Sequence, residues 1–209
     1  MTTHKWGTIL LLSIREQTFP GIPVIENMQD FSAPTVIFGR NVYDSIVSGY
    51  LYHKTGRECW LDHFGRPHNT WPKNDWLLRV HIDGYNQTLC EILQGISEHK
   101  GLEIYTDFAW KRFLNKAFTV FTTQQRFKSI IICMEDVIMD YKRQIQNIQD
   151  FTGQKNKIFA LPPVYKGHLT SKNKTLRKRL YDIVHKIDED RMGLNLSRLQ
   201  NIVNCSLKF

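Results

Sequence analysis

Apolar and polar positions along the chain alternate between short dense runs and longer periodic stretches. Thr35-Val36-Ile37-Phe38 is a compact apolar run after Pro34 that ends at Gly39-Arg40, which predicts a buried strand feeding a loop. Behind it Ile46, Val47, Tyr50 and Leu51 recur one and four residues apart, predicting a helix with one apolar face while Ser48 projects elsewhere. Residues 87–97 and 106–122 both carry helical spacing, the second through Phe113, Ala117, Val120 and Phe121. Residues 128–137 differ. Ser129-Ile130-Ile131-Ile132-Cys133-Met134 is rich in β-branched residues and closes on Glu135-Asp136, as expected of an inner strand of a parallel sheet. Tyr141, Ile145, Ile148 and Phe151 then repeat on one helical face, and Gly153 is placed to stop that helix in a left-handed cap. A last helix over about 174–187 turns Leu176, Leu180, Ile183, Val184 and Ile187 inward. Strands alternating with helices predict a single α/β domain over 1–209, a short parallel sheet flanked by helices.

Composition narrows the class. The 209 residues include 28 Lys+Arg and 20 Asp+Glu, a formal charge of +8, with 42% hydrophobic and 23% charged residues, ordinary for a globular domain. The longest apolar runs, Ile9 to Leu12 and Ile130 to Met134, fall far short of the roughly 20 residues a bilayer crossing needs. The apolar run after Lys5 is too short for a secretory leader, so the expected compartment is the cytoplasm. Cys59, Cys90, Cys133 and Cys205 form no C-x-x-C pair, and reduced, buried thiols are expected. The positive excess favours a polyanionic partner without choosing among nucleic acid, membrane surface and a polyphosphorylated small molecule.

Two constellations bear on that choice. Lys5-Trp6-Gly7-Thr8 runs directly into Ile9-Leu10-Leu11-Leu12. A Lys/Gly/Thr loop opening an apolar helix suits phosphate, because free backbone N–H groups and the helix dipole face the anion and lysine adds a full charge. It is not the nucleotide-triphosphatase loop, since G-x-x-x-x-G-K-[ST] is absent. The second constellation is Arg40 at a strand end with Ser48 eight positions later in a helix, a fork and a hydroxyl able to share one phosphate at the carboxyl edge of a sheet.

The order Lys5-Trp6-Gly7-Thr8, Arg40-Asn41 with Ser48, then Ile131-Ile132-Cys133-Met134-Glu135-Asp136-Val137 and a helix ending Asp150-Phe151-Thr152-Gly153 resembles the sulfotransferases that use 3′-phosphoadenosine 5′-phosphosulfate (PAPS). Arg191-Met192-Gly193-Leu194-Asn195 is similar to the tail of that family. The resemblance implies a three-layer fold like that of the P-loop proteins. With only Met1 to His4 ahead of Lys5, the usual first strand is either missing or replaced by another segment. It implies that Lys5, Trp6, Gly7, Thr8 and Ile9 form the 5′-phosphosulfate loop, that Arg40 and Ser48 hold the 3′-phosphate, and that no metal is required. Trp6, Ile9 and Val42 depart from the residues usual in that family at these positions. Sulfuryl transfer to a carbohydrate or small-metabolite hydroxyl is the implied reaction, with Lys5 steadying charge on the leaving phosphate. Two residues stand as the base for the acceptor proton: Glu26, which follows the loop as the catalytic glutamate does in some branches of that family, and His53.

Other features are weaker. The irregular 55–75 stretch, with Arg57, His63, Arg66 and Trp71, would serve as acceptor wall. Cys59, His63, His68 and His53 match no strong zinc spacing. Trp60, Trp71, Trp76 and Trp110 read as core or pocket wall. Lys172, Lys174, Arg177, Lys178 and Arg179 open the last helix; the clean apolar face there favours a solvated basic surface, or a lid over the nucleotide, over a nucleic-acid footprint. A basic nucleic-acid-binding module on a degenerate scaffold is the alternative function, and a kinase-like phosphoryl transferase lacks its magnesium loop.

Overall fold

The computed structural model describes residues 14–16, 18–19, 35–56, 89–123, 129–155, 158, 174–191 and 193–206. Strand β1 (Thr35–Gly39) leads into helix α1 (Val42–Lys54). Helices α2 (Leu89–Gly95) and α3 (Glu98–Ala109), a π-helical stretch (Trp110–Leu114) and α4 (Asn115–Thr123) follow. Strand β2 (Ser129–Cys133) passes directly into α5 (Met134–Met139), then α6 (Tyr141–Thr152), α7 (Lys174–Asp190) and α8 (Leu196–Val203).

β1 and β2 pair in parallel, from Thr35 with Ser129 to Gly39 with Cys133. Successive side chains of a strand point to opposite faces, which divides the apolar residues between two cores. Ile37 joins the larger one, with Ile131 and Cys133 packed against it; it also holds Val42, Ile46, Tyr50, Leu93, Leu102, Phe108, Val184 and Leu199 from the helices of that side. Phe38 and Ile132 face the smaller one, formed with Ile14, Phe19, Val137, Tyr141, Ile145 and Ile148. Helical cover on both faces of a parallel sheet is the α/β arrangement the alternation predicted.

Several elements differ from expectation. The strand expected over 129–134 is β2, which ends at Cys133, but Glu135 and Asp136 already lie in the first turn of α5. Helix N-termini favour carboxylates there, so the acidic pair marks a helix start rather than a strand end. The single helix expected over 106–122 is broken by the π-helical stretch between α3 and α4. Gly153 does close α6, at φ 72°. Helix α8 was not expected, and asparagines in the left-handed conformation, Asn195 and Asn204, stand at its two ends.

The reduced-thiol expectation is overturned. Cys133 and Cys205 form a disulfide, Cys90 is also disulfide-bonded, and no described cysteine is free. The partners are 72 residues apart in sequence, a separation that no local spacing rule reads. Their bond ties the end of β2 to the segment after α8. No helix among the described residues is long and apolar enough to cross a membrane.

Candidate functional site

The parallel register brings the ends of β1 and β2 out at one edge, so Arg40 and Glu135 leave the sheet side by side. Arg40 Nε lies 3.2 Å from Glu135 Oε1, and Arg40 Nη2 donates to Asp44 Oδ2 at 2.5 Å. Asn41 shapes the entry to α1: its side-chain oxygen accepts from the Asp44 N–H at 2.9 Å, capping the helix, while its amide donates to the Cys205 carbonyl at 3.3 Å. The cap therefore joins the start of α1 to the disulfide-tied tail.

Asp44 has a second cationic partner. Arg177, from the first turn of α7, donates through Nη2 to Asp44 Oδ1. One carboxylate thus holds two guanidinium groups, one on each oxygen. All four charged side chains are largely withdrawn from water: Arg40 is 14% exposed, Arg177 17%, Asp44 10% and Glu135 6%. Burial pushes the Glu135 carboxyl above its ordinary range, and Arg40 beside it opposes the shift without cancelling it.

Ser48 is half-buried one turn beyond Asp44. Arg40 precedes the helix and reaches Asp44 through its ion pair, while Asp44 and Ser48 lie one helical turn apart in α1. In sequence, the two residues expected to grip a 3′-phosphate lie four positions either side of Asp44. Motif reading named neither Asp44, Glu135 nor Arg177 as a site residue, and Arg177 is the least visible of them. Its only sequence signal is its place in the basic run, and that run is not a uniformly solvated surface as expected. Lys174 and Lys178 are exposed and Arg179 pairs with Glu98 at 2.9 Å, but Arg177 turns inward.

His53 lies elsewhere. It ends α1 thirteen residues after Arg40, about 20 Å away along the axis at 1.5 Å per residue. It is 1% exposed, with Tyr52 and Tyr105 rings at centroid distances of 5.5 and 5.7 Å. That is neither a surface histidine nor one open to an acceptor. Lys5, Trp6, Gly7, Thr8, Ile9 and Glu26 lie outside the described residues, as do Arg57, His63, Arg66 and Trp71 of the expected acceptor wall.

Beside the charged cluster, α1, α7 and α8 enclose an open cleft of about 300 Å³, lined by Asn41, Tyr43, Tyr181 and His185 together with amide and hydroxyl groups of the tail. Tyr43 stacks on His185 at 3.8 Å, and its hydroxyl donates to Asp188 Oδ2 at 3.0 Å. Burial, then the Asp188 charge, raises the Tyr43 phenol, so it remains a neutral donor. Asp188 also accepts from the Leu196 and Ser197 N–H groups at 3.0 and 2.9 Å, satisfying two of the first amides of α8.

Comparison with protein-family models, curated proteins and solved structures finds no match to this chain.

Proposed function

We propose that the protein is a PAPS-dependent sulfotransferase that moves a sulfuryl group to a hydroxyl of a carbohydrate or small metabolite. The observation that carries this reading is Arg40 leaving the carboxyl edge of a parallel sheet and paired with Asp44, which stands one helical turn before Ser48. Arg40 supplies a fork for phosphate oxygens and Ser48 a hydroxyl. Lys5 and the backbone of Gly7 and Thr8 serve the opposite end of the donor.

Holding the donor at both ends orients its sulfur for in-line attack. Glu26 takes the acceptor proton as the acceptor oxygen bonds to sulfur and the sulfur–oxygen bond to the 5′-phosphate breaks. Lys5 balances the charge left on that phosphate, and 3′,5′-adenosine bisphosphate departs. Of the two bases the sequence offered, Glu26 is the better choice, because His53 is enclosed by tyrosines at the far end of α1. Disulfides persist mainly in oxidising compartments, so the proposed setting is such a compartment rather than the reducing cytosol.

A ligand that binds only the folded state stabilises it by about 2.7 kcal/mol at a hundred times its Kd. 3′,5′-Adenosine bisphosphate without magnesium should raise the melting temperature of the full chain, and magnesium with ATP should not. Lys5→Ala and Arg40→Ala should weaken that effect, while Glu26→Gln should keep binding and lose sulfuryl transfer. Stabilisation by DNA or RNA with none by the bisphosphate would replace this reading with a nucleic-acid-binding module.

A further inference from the structure

We infer that Arg177 is a second phosphate-binding arginine, and that Asp44 is an internal anion holding Arg40 and Arg177 together until a ligand phosphate displaces it. This rests on the sulfotransferase reading for the identity of the ligand, though not for the existence of an anion site.

Three observations carry it. Arg177 is singled out from its neighbours: Lys174 and Lys178 face solvent and Arg179 is 62% exposed, whereas Arg177 is 17% exposed and directed at α1. An arginine turned inward from a basic run has given up hydration, which requires a compensating anion. That anion is a single carboxylate shared with Arg40, so both guanidinium groups converge on one planar, two-oxygen group. A phosphate offers the same bidentate edge with additional oxygens and more charge.

The donor count points the same way. A guanidinium carries five N–H donors, and among the described residues Arg177 gives one of them, to Asp44. The remaining four make no hydrogen bond among the described residues, in a side chain that already reaches the carboxylate paired with Arg40. Asp44 stands one turn from Ser48, so a phosphate reaching from Arg40 to Ser48 passes over the position of the Asp44 carboxylate. Displacing that carboxylate leaves both arginines on the ligand, and the ligand then joins α1 to α7 in place of the ion pair.

The test uses the full chain and titration calorimetry with 3′,5′-adenosine bisphosphate, with 5′-AMP, which lacks the 3′-phosphate, and with inorganic phosphate. The wild type should prefer the bisphosphate to 5′-AMP at least tenfold. Arg177→Ala should weaken bisphosphate binding at least tenfold while changing 5′-AMP binding less than twofold, so that the preference collapses. Arg177→Lys, which keeps the charge and loses the fork, should fall between and serves in place of the alanine variant if that does not fold. Asp44→Asn should tighten bisphosphate binding several-fold. A folded Arg177 variant with the wild-type preference intact overturns the inference and leaves the sulfotransferase reading standing. A wild type that binds neither nucleotide overturns that reading. Phosphate binding that is then lost in Arg177→Ala supports the arginine pair as an anion site, and its absence or persistence there overturns the pair as well.

Discussion

At the scale of single residues, Glu135 shows how register creates chemistry. Its partner Arg40 is 95 positions earlier, and only the pairing of Gly39 with Cys133 sets the two side by side. Burial, partly offset by Arg40, raises its folded-state pKa above the ordinary 4.5. Between 4.5 and that raised value the folded chain binds more protons than the unfolded one, so stability falls as pH rises through the window. Below about 4.5 both states are protonated and the contribution is complete. Glu135→Gln cannot titrate, and its melting temperature relative to wild type should climb between pH 4.5 and 7; a flat or shrinking difference would refute the assignment. Arg40, Ser48 and the acidic pair were legible as residue types at motif spacing. Arg177 was legible only as a positive charge, because which residue of a basic run turns inward is decided by the carboxylate across the helix interface. The inward course of His53 was likewise invisible, since its Tyr105 neighbour belongs to a distant helix.

At the scale of elements, α1 is where sequence and structure agree best. Its apolar spacing predicts the helix, although burial runs nearly all round it, through Val42 to Val47, Gly49, Tyr50 and His53, and its packing against α3 explains an unusual feature inside it. Gly49 lies mid-helix, where alanine is ordinarily better by up to about 1 kcal/mol. Here an added methyl would sit on the phenol ring of Tyr105, itself only 2% exposed and locked in the core. Overpacking of this kind costs about 1–3 kcal/mol, so Gly49→Ala should lower the denaturant midpoint of unfolding rather than raise it. The break between α3 and α4 has a different origin. Phe108 and Phe113 are five apart and meet edge to face at 5.6 Å, a spacing an unbroken 3.6-residue repeat does not supply. The π-helical residues absorb the extra step, so Ile104, Tyr105 and Phe108 before it and Ala117 and Phe121 after it serve one core. Each half reads as helical alone, which hides the join from periodicity.

For the molecule as a whole, the Cys133–Cys205 bond is the long-range closure. It encloses a segment of 72 residues, and the chain-entropy relation assigns such a loop about 4 kcal/mol at 25 °C. Cys133→Ser with Cys205→Ser should lower stability by roughly that amount, and a reductant should lower the melting temperature of the wild type more than that of this variant, which keeps the Cys90 disulfide. Equal melting of the wild type with and without reductant would refute the bond. The alternation of strands and helices revealed the α/β class, but cysteine spacing could not reveal this closure. The same tail carries Asp188's grip on the start of α8, and that carboxylate also receives the Tyr43 phenol from the first turn of α1. Peeling α8 away therefore pulls, through Asp188, on the first turn of α1, three residues beyond Arg40: mechanically, this segment is a lever whose fulcrum is Asp188.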